Sequence, residues 1–196
     1  MPASIAAAKA GATTGEWAAQ MRAVFGEYRG PTGVSRSVSN KTEGLEHIRD
    51  AVDVVSDKLG LRLKFLMGKP GRDGHSNGAE QIAYRARDCG METAYEGIRL
   101  TPEEIVTAAQ NEACHVIGLS VLSGSHMPLL QDLMARLKAE GLDSIPVIVG
   151  GIIPDDDAAR LKTIGVAQVY TPKDFELNTI MMDIVALADP HPVAAE

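Results

Sequence analysis

One short segment gathers the side chains able to do chemistry. In Lys69-Pro-Gly-Arg-Asp73-Gly-His75-Ser-Asn-Gly78 a histidine follows an aspartate by two residues, and a lysine precedes that aspartate by four. An imidazole backed by a carboxylate is how proteins aim a ring nitrogen at a metal. The carboxylate holds the proton of one nitrogen and leaves the lone pair of the other free. An apolar run over 63–67 leads into the segment, and a helical pattern over 78–89 leads out. The glycines between them let backbone approach a ligand closely. Open α/β sheets place their ligand chemistry in such loops, at the carboxyl ends of strands.

The elements around this loop are legible from punctuation and period. Strand signals fall at 63–67, 92–95, 115–120, 146–149 and 168–171. Helix signals follow them at 78–89, 101–111, 125–140, 154–164 and 175–188. Thr101-Pro102-Glu103-Glu104 is a strong helix start, with a capping residue, a proline at the first helical position and acids in the first turn. Regular β–α alternation predicts a doubly wound, five-stranded parallel sheet. The expected fold is flavodoxin-like, that is Rossmann-like, with strand order 2-1-3-4-5. Residues 1–60 carry no strand signal and read as a helical linker segment, with a loop at 29–40. Trp17, Met21, Val24, Phe25 and Tyr28 make an apolar stripe there, either core or a surface that another domain covers. This order brings three loops to one sheet edge: 68–78, the turn holding Ser120, Leu122 and Gly124, and Gly150-Gly151. Tyr170 and Thr171 end the fifth strand nearby.

Composition narrows the partners. A net charge of −7 over 196 residues disfavours nucleic acid and anionic membrane, which want clustered Lys and Arg. No apolar run is long enough to span a bilayer, and the amino-terminal residues lack the pattern of a secretory signal. Cys89 and Cys114 read as two reduced, buried thiols of a cytosolic protein. Several ligand classes fit poorly. Lys69 is followed by Pro70, so there is no phosphate-binding Walker loop. The glycine spacing is not that of a dinucleotide site. A receiver domain would need acids where Phe65, Leu66 and Ser120 stand. No aromatic side chain is available in these loops to sandwich a flavin. His47, His115, His126 and His191 read as ordinary histidines, with a ligand contact left open for His126.

Asp73-x-His75-x-x-Gly78, then Ser120-x-Leu122, then Gly150-Gly151, resembles the cobalamin-binding signature of the adenosylcobalamin-dependent acyl-CoA mutases. The sequence around His75, the run Gly-Leu-Ser-Val-Leu-Ser-Gly-Ser-His-Met and the upstream Thr-Gly-Glu-Trp segment are similar to the ethylmalonyl-CoA branch of the methylmalonyl-CoA mutase family. The resemblance implies that 61–190 is a cobalamin-binding domain and 191–196 a tail. It implies that His75 replaces the cofactor's own benzimidazole beneath cobalt, with Asp73 on its other nitrogen and Lys69 paired to Asp73. Cofactor contacts are expected from Gly74, His75, Ser76, Asn77 and Gly78, from Ser120, Leu122 and Gly124, from Gly150 and Gly151, and from Tyr170 and Thr171.

The family mechanism breaks the cobalt–carbon bond of adenosylcobalamin and rearranges the carbon skeleton of an acyl-CoA, here ethylmalonyl-CoA to methylsuccinyl-CoA. The acyl-CoA-binding barrel is not encoded in this sequence, since it needs about 200 further residues or more. The expectation is therefore a carboxyl-terminal fragment or a small subunit, inactive alone, that partners a barrel and is compatible with a homodimer. A corrinoid methyl-carrier protein and a cobalamin-dependent regulatory module are the alternatives. The first usually has a compact helical cap, and the second an output domain.

Overall fold

The computed structural model of the chain describes residues 2–26, 42–72, 74–174 and 176–190. Tyr28, the loop 29–40, Asp73, Phe175 and the tail 191–196 lie outside the described residues. The chain forms two compact units, 1–39 and 40–196. The first holds α1 (Pro2–Lys9) and α2 (Thr14–Phe25). A capping box starts α2: the Thr13 hydroxyl accepts from the Glu16 amide, and the Glu16 carboxylate accepts from the Thr13 amide. The Trp17 indole donates to the Ser4 hydroxyl at 3.1 Å, tying the two helices together. Trp17, Met21, Val24 and Phe25 are exposed.

The second unit runs α3 (Thr42–Leu59), β1 (Lys64–Pro70), α4 (Asn77–Asp88), β2 (Glu92–Leu100), α5 (Pro102–Glu112), β3 (Val116–Val121), α6 (His126–Ala139), β4 (Val147–Gly151), α7 (Asp155–Thr163), β5 (Gln168–Tyr170) and α8 (Leu177–Ala188). All strand pairs are parallel, in the expected order β2-β1-β3-β4-β5. Alternate residues of a strand face opposite sides, and that rule divides the core in two. Phe65, Met67, Val116 and Ile148 pack with α3, α4 and α8. Leu66, Ile117, Leu119, Val147 and Val149 pack with α5, α6 and α7. Helix α3 lies before residue 61, yet Ile48, Val52 and Val55 belong to the first of these layers.

Two strands are longer than their signals. β1 continues to Pro70, so Lys69 stands in the sheet opposite Ile98 and is fully buried, not in a loop. An ammonium persists in such a place only where its neighbours compensate lost hydration. β2 continues to Leu100, with register shifts against β1 beyond Met67. It is an edge strand, and its charged residues Glu92, Glu96 and Arg99 hide it from a reading based on apolar alternation.

Burial pushes the Cys114 thiol up to about 12 and raises that of Cys89, so both stay protonated at neutral pH. The cap anticipated at Thr101 forms: its hydroxyl accepts from the Glu104 amide at 3.2 Å, and Glu104 accepts from the Thr101 amide at 2.7 Å. Thr101→Ala removes the box and is expected to cost about 1 kcal/mol. A thermal melt should read this as a loss of roughly 2–4 °C.

Candidate cofactor-binding site

The cleft arises from a change in side-chain size along one face of the sheet. Toward the amino ends of the strands that face carries Phe65, Val116 and Ile148. Toward the carboxyl ends the same alternation places Gly118 and Ser120 on β3 and Gly150 on β4, with Ser120 opposite Gly150. The opposite face stays filled, by Leu119, Val121 and Val149. Helices α4 and α8 therefore stand off from the sheet over a cavity of about 410 Å³. Gln81 and Ile82 of α4 and Leu177 and Ile180 of α8 form its outer walls. Gly78 and Gly150 border it without filling it. A Cβ at Gly78 would meet nothing within 4 Å, and one at Gly150 nothing closer than Tyr170 at 4.0 Å. The volume is within the usual range for small-molecule sites, roughly 300–1,000 Å³.

A wider, open cleft of about 990 Å³ adjoins it, and Leu122 lines both. His75 is exposed and lines this second cleft, with Arg72 and Arg99. Arg99 sits at φ +65, a left-handed conformation at the bulged end of β2. Its guanidinium comes within 3.8 Å of the space a Cβ on Gly74 would occupy. Ser123 and Ser125, which also line this second cleft, share a hydrogen bond of 2.7 Å.

The hydroxyls at the end of β5 are already committed. Tyr170 donates to Asp183 at 2.8 Å, and burial first, then that carboxylate, raises its pKa. The Thr171 amide and hydroxyl both donate to Asp174, at 2.8 and 3.0 Å. These bonds, the amide foremost, hold the Asp174 carboxyl below its ordinary 3.8. A depressed carboxyl contributes stability above its unfolded pKa and loses it as pH falls through the folded value. Asp174→Asn should therefore lower stability at neutral pH and flatten the fall below about pH 4, so that the two chains converge in acid.

Of the other histidines, His115 accepts from the Lys64 amide through Nδ1, and burial lowers its pKa. His126 is buried, with Nε2 2.9 Å from Asp157, so its partner is α7 rather than either cleft.

Of the residues singled out by sequence, the inner cleft gathers Gly78, Ser120, Leu122, Gly150, Gly151, Tyr170 and Thr171. His75 lies on the adjoining cleft. Gly74, Ser76, Asn77 and Gly124 line neither. Ser76 and Asn77 form the start of α4, and Gly124 lies in the turn before α6. The inner cleft also contains Phe65, Met67 and Gly118, which sequence reasoning treated only as strand. A glycine inside a fully buried strand was the available signal, since it marks a close approach.

Residues 63–174 match the model of the B12 binding domain. The chain belongs to the B12-binding domain family. This B12-binding domain is 68% identical over its whole length to ethylmalonyl-CoA mutase of Cereibacter sphaeroides. It is 54% identical over 96% of its length to the enzyme of that name from Methylorubrum extorquens. It spans only 30% and 27% of those two proteins. A solved cobalamin-binding protein from Desulfitobacterium hafniense shares the fold, with a TM-score of 0.55 at 22% identity over 71% of this chain and 65% of its own.

The residues present fit cobalamin. A flat aromatic base suits a glycine-bordered, mostly apolar cavity between sheet and helices. One imidazole is presented on the open cleft that shares Leu122 with it.

Proposed function

We propose that this chain is the cofactor domain of an adenosylcobalamin-dependent acyl-CoA mutase, interconverting ethylmalonyl-CoA and methylsuccinyl-CoA. The observation that carries the reading is the continuity of two clefts through Leu122, one bearing His75 and the other glycine-bordered and apolar. The likeness to two ethylmalonyl-CoA mutases supports the choice of branch. In this reading residues 61–190, with α3 packed into their core, are the binding domain, and the segment holding α1 and α2 joins it to an acyl-CoA-binding barrel, in the same polypeptide or a separate subunit.

His75 would hold cobalt through one ring nitrogen. Asp73 would accept a hydrogen bond from the other, fixing the tautomer and making the ring a better donor. Lys69, buried in β1, would pair with Asp73 and limit how far it draws the proton. Gly74, Ser76, Asn77 and Gly78 shape the loop around His75. Ser120, Leu122, Gly150, Gly151, Tyr170 and Thr171 would enclose the nucleotide tail, with Gly124 in the turn that leads to α6. When bound, adenosylcobalamin supplies the radical chemistry that a carbon-skeleton rearrangement requires. The chain itself would supply a mostly apolar seat for the tail and the imidazole of His75, and no turnover is expected without the barrel.

Adding cobalamin to the purified chain at neutral pH tests this. The visible spectrum should change to that of a cofactor whose own base is displaced and replaced by imidazole. A spectrum identical to free cobalamin at protein excess overturns the reading.

A further inference from the structure

The inner cleft carries a selectivity of its own, distinct from holding the cofactor. Its inner wall is packed from behind. A Cβ at Gly118 would overlap the Phe65 ring and lie 3.1 Å from the Met67 sulfur, and all three residues line the cavity. Phe65 is fully buried, so its ring has no solvent to retreat into. The missing side chain at Gly118 leaves the space the Phe65 ring fills at the cleft wall, and Phe65 limits how deep a guest can go.

The polar groups impose a second limit. Tyr170 donates its hydroxyl hydrogen to Asp183, and Thr171 donates its own to Asp174. Neither is available to a guest's acceptor atoms. The remaining side-chain donors on the cavity are Ser120, nearly buried, and Gln81, at the exposed rim. The other side chains on the sheet side, Phe65, Met67 and Ile148, are apolar. A benzimidazole linked through one nitrogen has a single ring acceptor to satisfy. An adenine linked in the same way has three, together with an amine. Buried acceptors left unpaired weaken binding far more than a matched apolar surface strengthens it.

We propose that this cleft discriminates among corrinoids by the base on their nucleotide tail. It accepts compact benzimidazoles and rejects purines, with Phe65 and Gly118 as the residues that set the limit. The inference rests on the reading above, that the tail of cobalamin occupies the inner cleft.

The test is equilibrium binding of three probes to the 196-residue chain: cobalamin, its adenine-based analogue, and cobinamide, which has no nucleotide tail. The unaltered chain should bind cobalamin at least about tenfold more tightly than the adenine analogue. Gly118→Ala, which drives the Phe65 ring into the cavity, should weaken cobalamin about tenfold or more and leave cobinamide unchanged. Phe65→Leu should narrow the ratio between the two tailed corrinoids, again with cobinamide unchanged.

Equal affinity of the unaltered chain for cobalamin and the adenine analogue overturns the inference while leaving the proposed function standing. Parallel losses of cobalamin and cobinamide in Gly118→Ala also overturn it, because Gly118 would then serve only the sheet. Failure of all three probes to bind the unaltered chain sinks the proposed function and this inference together.

Discussion

Replacing His75 with alanine is expected to leave the fold intact and to remove the imidazole-coordinated spectrum of bound cobalamin. His75 is exposed in a loop between β1 and α4, so its loss should change stability by no more than about 0.5 kcal/mol. Its effect on the cofactor should be of another order. Removing a group that merely orients a metal ligand costs about 10–100-fold in affinity, and removing the ligand itself should cost at least that. The two readouts separate the roles: circular dichroism and melting report the loop, whereas the cobalt spectrum reports the nitrogen. A His75→Ala chain that keeps the imidazole-coordinated spectrum would show that another residue ligates cobalt. Asp73→Asn should give the intermediate result, with coordination retained and affinity reduced, because the amide still orients the ring but carries no charge.

Gly151→Ala is expected to be the most disruptive single methyl in the domain. Gly151 stands opposite Val121, where β4 pairs with β3. A Cβ there would fall on the Val121 carbonyl, which is backbone and cannot swing aside as a side chain would. The two central strands would have to part at the edge where the clefts lie. Overpacking ordinarily costs about 1–3 kcal/mol, and an overlap with neighbouring backbone should exceed that. A fall in melting temperature of about 10 °C, with loss of cobalamin binding, is the expected outcome. Gly150→Ala, next door, provides the contrast: its Cβ would enter open cleft, so stability should hold while cobalamin affinity falls. Gly151→Ala melting with the unaltered chain would refute the steric account.

The sheet order was legible because turn residues and apolar runs punctuate this chain at nearly every strand boundary. Gly60, Gly141 and Gly165 end helices in left-handed conformations, and Thr101-Pro102 starts one. The limits of β1 and β2 were not legible, for a shared reason. Lys69 and Pro70 look like loop, and Glu96 and Arg99 look like surface, until the two strands are set side by side. The parts of the site that carry a motif could be read. The parts that depend on register could not. Nothing in Val116-Ile-Gly118-Leu reveals that Gly118 will meet Phe65, some fifty residues earlier, because that contact exists only after β1 and β3 align. Arg72 and Arg99 were missed likewise, since each is one exposed cation until the fold sets both on the cleft with His75.

Helix α8 has two duties. Leu177 and Ile180 wall the inner cleft, while Ile180, Met181, Ile184 and Val185 are buried in the layer shared with α3. A guest in the cleft therefore fastens the last helix of the chain, and swinging that helix away exposes part of the core. Binding and local opening draw on one free energy. A corrinoid bound in the cleft should therefore slow hydrogen exchange and proteolytic cutting at α8, and the unliganded chain should open there more readily.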